Sequence, residues 1–272
     1  VLLATAAFVS AVPASSSLAA QSQADTVETS VPTQLPRTAV PHHYAITVTP
    51  HAGRLAFDST VAIDLDVVQA TRALILNAAD LKLASATLTP ARGGAAIPAT
   101  IALDPDAQTV TLTFPREIAT GSYRLEIRYS GKINTQANGL FALDYKNKEG
   151  KDARSLFTQF EPADARRFVP SWDEPDYKAT WDLTARIPAN HMAVSNMPTA
   201  STKPIAGGLK EVRFQRSPIM SSYLLFFALG DFERISKKVG DKEVGIVVSR
   251  GNAPKGQVAL DAEAQLLPYF RE

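Results

Sequence analysis

Several short stretches of this chain place an apolar residue at every second position, and this period of two restricts the fold more than any other feature. Such alternation is typical of strands with one face in a core and the other in water. Turn-forming residues separate the stretches, as at Gly93-Gly94 and Asp104-Pro105-Asp106. The alternating stretches are 44–49, 61–67, 109–114, 123–129, 181–187 and 212–214. Many short strands with close turns favour an all-β fold, an antiparallel β-sandwich or saddle.

Two further apolar patterns lie towards the C-terminus. A continuous apolar run from Tyr223 to Leu229 predicts a central strand covered on both faces. Apolar residues then recur every fourth position and predict one face of a helix, at Val258, Ala262, Leu266 and Phe270. Pro268 should kink or end this helix. Before residue 250 the sequence shows no amphipathic helix of useful length.

The first 36 residues do not continue the strand pattern. Residues 1–20 are apolar, then small and serine-rich, which predicts the core and cleavage region of a secretory signal whose positively charged start is missing. A membrane anchor is the alternative, but the apolar run breaks at Pro13 and is too short for a hydrocarbon core of about 30 Å. Residues 21–36 are rich in Ser, Thr and Gln and predict a disordered linker. We therefore expect an exported protein, periplasmic or extracellular, with no stable membrane insertion once the signal is removed.

Composition excludes several functions. With 28 Lys and Arg against 27 Asp and Glu the net charge is +1, so no basic excess points to nucleic acid. The chain has no cysteine, which excludes disulfides, thiolate nucleophiles and Cys-ligated zinc. None of the four histidines forms a pair with the i, i+4 spacing of a helical metal site. We expect no catalytic residue and no metal ligand within the chain.

The segment 158–179, TQFEPADARRFVPSWDEPDYKA, is unusually dense in charged and aromatic residues and holds three prolines. Prolines fix φ and interrupt strands, so an ordered loop pinned by aromatic side chains is expected. Taken by itself, the segment is most simply a connection whose Arg and Asp side chains pair with each other.

The same segment, continued as TWDL, resembles the signature of the gluzincin zinc aminopeptidases of the aminopeptidase N type. Further likenesses extend the resemblance over about residues 37 to 272: PHHYAITVTP, Asn138-Gly139-Leu140-Phe141, SSYLLFFALGDFE and ALDAEAQLLPYFRE. Ser171 and Val169 stand where the family often has Cys and Phe, which we interpret as packing changes. The resemblance implies a β domain over 37–232 and, from 233, the start of an α/β thermolysin-like catalytic domain.

The resemblance also implies a function. The whole protein would be a zinc metallo-aminopeptidase acting on peptides with a free N-terminus, and this chain would be its N-terminal portion. The Zn²⁺ ligands would lie beyond Glu272, so the chain alone is expected to be inactive. Glu161 falls on the family position that pairs with the substrate α-ammonium, and Gln159 on a position that contacts the substrate backbone. In an extended segment these two side chains share a side, whereas Trp172, Asp173 and Pro175 are expected to shape the loop.

Two other classes remain open from the sequence. The first is a non-catalytic β-sandwich interaction module of the same fold. The second is a carbohydrate-binding sandwich, which we rank low because both tryptophans, Trp172 and Trp181, lie in or beside the signature.

Overall fold

The computed structural model describes residues Leu35–Phe270. Within that range the chain forms strands up to residue 249 and one α-helix after them. The strands are β1 (Ala39–His51), β2 (Ala56–Val67), β3 (Thr71–Asn77), β4 (Leu81–Pro90), β5 (Ile97–Pro98), β6 (Thr100–Asp104), β7 (Thr109–Ile118), β8 (Gly121–Lys132), β9 (Gly139–Lys146), β10 (Asp152–Gln159), β11 (Thr180–Pro188), β12 (Met192–Ser195), β13 (Thr199–Ile205), β14 (Leu209–Phe214), β15 (Phe227–Gly230), β16 (Phe232–Val239) and β17 (Lys242–Ser249). The helix is α1, Ala253–Tyr269. The all-β prediction is confirmed.

An eight-stranded sheet, in the order β13-β14-β11-β1-β2-β8-β4-β5, is the largest layer. Its strands alternate as the sequence predicts: Val61, Ile63 and Leu65 are buried, while the residues between them are partly exposed. Adjacent strands in this sheet pair antiparallel, except for β1 and β11, which run parallel with Tyr44 opposite Trp181. This parallel pair brings the first strand beside the chain that leaves the signature segment.

A three-stranded sheet, β3-β7-β6, shares its core with the large sheet. Leu74, Val110 and Leu112 from the small sheet belong to the same cluster of buried side chains as Ile63 and Leu125 from the large one. Both sheets therefore bury one apolar face and leave the other to water, as expected for a sandwich.

The four-stranded sheet β12-β15-β10-β9 carries the signature segment at the end of β10. Here the prediction of a strand over 223–229 is wrong in extent, because β15 covers only Phe227–Gly230. Residues Ser222–Leu224 form a 3-10 turn, and Leu224 and Phe226 are exposed. The side chain of Asn196 supplies the hydrogen bonds there: Nδ2 donates to the Leu224 carbonyl at 2.7 Å, and Oδ1 accepts from the Phe226 N–H at 2.8 Å.

The hairpin β16-β17 packs against α1. The predicted helix is confirmed and ends one residue after Pro268, but its covered face is not the predicted one. Val258 and Phe270 are exposed, whereas Gly256 and Leu260 are buried. Gly256 allows the close approach, since a Cβ there would lie 3.1 Å from Cδ1 of Ile235.

Of the predicted signal and linker, the structure describes only the last two linker residues, Leu35 and Pro36. The signal, 1–20, lies outside the described residues, as does the linker up to residue 34. Leu35 is 5% exposed within the core, so ordered structure begins at least two residues before the predicted start at 37. The predicted boundary after 232 falls at the start of β16, and a catalytic domain from 233 stays a prediction. Across residues 35–270, no helix combines the length and apolar character that a membrane crossing requires.

Candidate functional site

The candidate site begins where β10 ends. Thr158 is buried, and its Oγ1 accepts a hydrogen bond from the backbone N–H of Phe227 at 2.9 Å. This bond joins the end of β10 to β15. The next residue, Gln159, pairs with Gly139 on β9 and is exposed.

Glu161 lies in a turn directly after the strand. The N–H of Asp164 donates to the carbonyl of Phe160 at 2.7 Å and closes this turn around Glu161. Phe160 is 2% exposed, and its ring lies 5.5 Å from the ring of Phe168. Gln159 and Glu161 are exposed on either side of Phe160. The predicted extended segment therefore stops at Gln159, and the turn places Glu161 in solvent.

Arg166, which follows this turn in the sequence, forms a buried ion pair with Asp173. Their side chains are 9% and 1% exposed, and Nε of Arg166 donates to Oδ2 of Asp173 at 3.0 Å. The backbone N–H of Arg166 donates to the same oxygen at 3.1 Å. Ser222 donates to the other carboxylate oxygen, so both oxygens of Asp173 accept hydrogen bonds.

Arg167 forms a second group of ion pairs nearer the surface. Its Nε donates to Oδ1 of Asp164 at 2.7 Å, and its Nη1 donates to Asp80. Lys132 also pairs with Asp80, at 3.0 Å. The two cations hold the pKa of Asp80 below its ordinary value although burial of the carboxylate opposes them. The expectation that Arg and Asp side chains of the segment pair with each other is thus met by Arg166 and Arg167.

Glu161 does not share in this pairing. The other acidic side chains of 158–179 each have a partner: Asp164 binds Arg167, Asp173 binds Arg166, Glu174 accepts from the N–H of Leu35, and Asp176 binds Arg37. Among the residues that the structure describes, the carboxylate of Glu161 has no ion pair and no hydrogen bond, and it is exposed. Glu161 is therefore open to a ligand.

The Asn138-Gly139 motif lies beside this segment. Gly139 has φ of 62°, in the left-handed region, and a Cβ there would lie 2.9 Å from Cβ of Arg167. Nδ2 of Asn134 donates to the carbonyl of Asn138 at 2.8 Å. Glycine is needed at 139 because the backbone conformation and the space both disfavour a side chain.

The remaining signature residues form the loop's interior. Trp172 is 1% exposed, and its backbone N–H donates to the hydroxyl of Tyr44 at 3.2 Å. Val169 and Ser171 are fully buried, which agrees with their interpretation as packing positions. Asn77 binds the N–H of Asp173 at 3.1 Å through its side chain. Sequence reasoning missed Asn77 and Ser222, because no local pattern marks a residue that reaches the loop from elsewhere in the chain.

The histidines do not assemble a metal site. His42 contacts Asp66 at 2.9 Å and His51 contacts Asp58 at 2.8 Å, while His43 contacts Thr180 at 2.8 Å. Over residues 35–270, no three His, Asp or Glu side chains form a group that could hold a metal ion.

The comparison with known families decides the relationship. A family described as the peptidase M1 N-terminal domain matches residues 40–224, which include the whole signature segment. The chain belongs to the M1 peptidase family. It is similar to aminopeptidase N of Acetobacter pasteurianus, at 36% identity over 237 residues, and to aminopeptidase M1 of Arabidopsis thaliana, at 37% over 243 residues. Human endoplasmic reticulum aminopeptidase 1 is 31% identical over 244 residues.

The M1 relatives are longer than the matched region. The alignment covers 87% of this chain and 65% of the Acetobacter protein, and 88% of this chain and 27% of the Arabidopsis protein. For the human protein the alignment covers 88% of this chain and 26% of the relative. The chain thus spans less than two thirds of the length of these M1 aminopeptidases, and its residues 40–224 match the N-terminal domain of the family.

Proposed function

We propose that this M1 chain is the N-terminal portion of a zinc-dependent aminopeptidase, in which Glu161 binds the free α-ammonium group of a peptide substrate. The observation that carries the proposal is the unpaired state of Glu161 among the described residues, beside four acidic neighbours that are all paired. An aminopeptidase must recognise the charged amine at the first residue, and an exposed carboxylate on an anchored turn can do so. A charge-assisted hydrogen bond of this kind contributes about 1.5–3 kcal/mol.

Gln159 is the second proposed contact. It is exposed at the end of β10, two residues before Glu161, and its amide has both donors and acceptors. A peptide backbone also offers an N–H and a carbonyl at each residue. We assign Gln159 to the substrate backbone close to the first peptide bond.

Zinc does not fit the described residues, since they contain no group of metal-binding side chains. We place its ligands in sequence outside this chain. The isolated chain is therefore expected to bind no stoichiometric zinc and to cleave no alanyl anilide. Residues 35–270 contribute recognition of the amine in this proposal, and no catalytic residue.

Export is part of the proposal and rests on residues 1–20, which lie outside the described range. A protein of this kind would act on peptides in the periplasm or outside the cell. N-terminal sequencing of the native protein is expected to find a mature start near Gln21. A native protein that retains Val1 to Ala20 would refute export by this signal.

The test of function uses the complete protein expressed from the full gene. Glu161→Ala should lower kcat/KM for alanyl substrates by roughly ten- to a thousandfold. The lower limit corresponds to the lost charge-assisted hydrogen bond, about 1.5–3 kcal/mol, and the upper limit to an ammonium left unpaired where the bound substrate excludes water, about 3–5 kcal/mol. N-acetylated substrates, which lack the charge, should change little. Asp176→Ala is the matched control, since Asp176 is an exposed acid of the same segment paired with Arg37.

Two outcomes would count against the proposal. An unchanged kcat/KM in Glu161→Ala would remove Glu161 from amine recognition. A complete protein that neither binds zinc nor cleaves aminoacyl substrates would favour the interaction module of the same fold.

A further inference from the structure

Arg166, which forms the buried pair with Asp173, follows the turn that carries Glu161 in the sequence. Arg166 is five residues after Glu161, and the whole intervening chain is held at both ends. At one end, Phe160 is 2% exposed against Phe168. At the other end, Arg166 is fixed to Asp173 through its backbone N–H and its Nε. The position of Glu161 therefore depends on two anchors, one apolar and one ionic.

The ionic anchor connects segments that are distant in sequence. The N–H of Asp173 donates to Oδ1 of Asn77 at 3.1 Å, across 96 residues, and Ser222 donates to Asp173 across 49. Nη2 of Arg166 donates to the Asp173 carbonyl at 3.2 Å, and Nη1 donates to Gln108 at 3.4 Å. Through Asp173, these hydrogen bonds connect the end of the turn to Asn77 at the end of β3 and to Ser222 in the 3-10 turn before β15.

A buried ion pair is weak evidence for a role in stability alone. Desolvation of two charges offsets much of their attraction. Well-packed apolar residues of similar volume often stabilise a fold at least as much as a buried ion pair does. A pair with several hydrogen bonds does fix the relative orientation of its two side chains, because each bond restricts the geometry of the guanidinium and the carboxylate. A substrate-binding carboxylate on a turn needs this kind of support to stay within a fraction of an ångström of its working position.

We propose that Arg166 and Asp173 are a positioning pair, which fixes the turn so that the carboxylate of Glu161 meets the substrate ammonium. This inference rests on the proposed function of Glu161. The pair itself contacts no substrate, because both side chains are buried and their hydrogen-bonding groups are directed at each other, at Ser222 and at Gln108. Its effect is carried by the backbone between residues 160 and 166.

The experiment measures, in the complete enzyme, the ratio of kcat/KM for a free alanyl substrate to that for its N-acetylated counterpart. Asp173→Asn keeps the shape of the side chain and removes the charge. We expect the ratio to fall about ten- to a hundredfold, the scale that a misplacement of about 1 Å can produce. Ser222→Ala, which removes one hydrogen bond to Asp173 and leaves the ion pair, should lower the ratio in the same direction and by less. That variant keeps the test decisive if Asp173→Asn does not fold.

A double-mutant comparison separates positioning from stability. If Asp173 acts through Glu161, then Asp173→Asn should cause no further loss of the ratio in a Glu161→Ala background. Leu125→Ala, a buried change on β8 between Ile63 of β2 and Leu88 of β4, is the control for destabilisation. It should lower the melting temperature and leave the ratio at the wild-type value.

Each remaining outcome contradicts a particular statement. A wild-type ratio in folded Asp173→Asn and Ser222→Ala, with Glu161→Ala strongly impaired, overturns the positioning role and leaves the proposed function intact. Additive losses in the double variant overturn it as well. A wild-type ratio in Glu161→Ala itself overturns the proposed function, and the positioning role with it.

Discussion

Tyr44 and Trp181 stack face to face, with ring centroids 4.1 Å apart and ring planes 7° from parallel. They lie opposite each other on β1 and β11, the parallel strand pair of the large sheet. The hydroxyl of Tyr44 also accepts the backbone N–H of Trp172 at 3.2 Å. One side chain from the first strand therefore contacts Trp172 within the signature segment and Trp181 just after it.

This arrangement predicts the effect of Tyr44→Phe. The ring stack would remain, but the buried N–H of Trp172 would lose its acceptor, and a buried unsatisfied donor costs about 1–3 kcal/mol. We expect the free energy of unfolding, measured with urea, to fall by that amount. Tyr123→Phe is the control, since the hydroxyl of Tyr123 bonds the Ala119 carbonyl at an exposed site. Equal losses of unfolding free energy in both variants would show that the buried hydrogen bond to Trp172 stabilises the fold no more than an exposed one.

A second prediction concerns packing at Gly131 in β8. A Cβ at this position would lie 2.4 Å from Cζ of Phe57, a fully buried ring that is in turn packed against Phe168. Because the ring has little room to move, Gly131→Ala should destabilise the chain by about 1–3 kcal/mol through overpacking. Gly53→Ala should be close to neutral, because a Cβ at residue 53 would have no atom of the described residues within 4 Å. Thermal unfolding of both variants measures the difference.

Sequence periodicity predicted most of the sheet structure, since a half-buried strand must alternate apolar and polar residues. It did not predict which helix face is covered: Val258 and Leu260 differ in exposure because of where the hairpin lies. It also placed a long strand over 223–229, since a continuous apolar run does not report that Leu224 and Phe226 are exposed. Spacing indicates the kind of element, whereas contacts decide its extent and its covered face.

The candidate site was predictable in part. The motif predicted Gln159 and Glu161 as substrate contacts, and this stays a prediction; the structure finds both exposed beside a buried aromatic residue. The partners of Asp173 were not predictable, because Asn77 is 96 residues away and Ser222 is 49 away. A single sequence contains no signal for such pairs, and only the fold brings them together.

The third prediction is a pH dependence at Glu211, a residue that is 8% exposed on β14. The hydrogen bond from Lys203, with a second from Arg186, holds the pKa of Glu211 below its ordinary value, although burial opposes both. A carboxylate whose pKa is depressed in the folded state stabilises the fold above its unfolded pKa of about 4.3, and this contribution is lost as the pH falls further.

Glu211→Gln should therefore lower the free energy of unfolding at pH 7 and should change it progressively less below about pH 4. Urea unfolding of wild type and variant across this range gives the difference at each pH. Glu126→Gln is the control, since its side chain is 60% exposed and lies 3.9 Å from Arg124. A difference that is constant from pH 7 to about pH 3 would rule out the charge of Glu211 as its source.

The last prediction rests on the proposed function and is a graded series at the candidate site in the complete protein. Gln159→Ala removes neutral hydrogen bonds worth about 0.5–1.5 kcal/mol, so kcat/KM should fall by roughly two- to tenfold. Glu161→Gln should be milder than Glu161→Ala, because an amide oxygen still accepts from the ammonium but carries no charge. The Gln159 loss should appear with free and N-acetylated substrates alike, since the backbone contact does not depend on the amine. The Glu161 losses should appear with the free amine alone. Both residues are exposed, so the melting temperature should stay near the wild-type value throughout. A Gln159→Ala loss confined to free-amine substrates would instead place both side chains on the ammonium group.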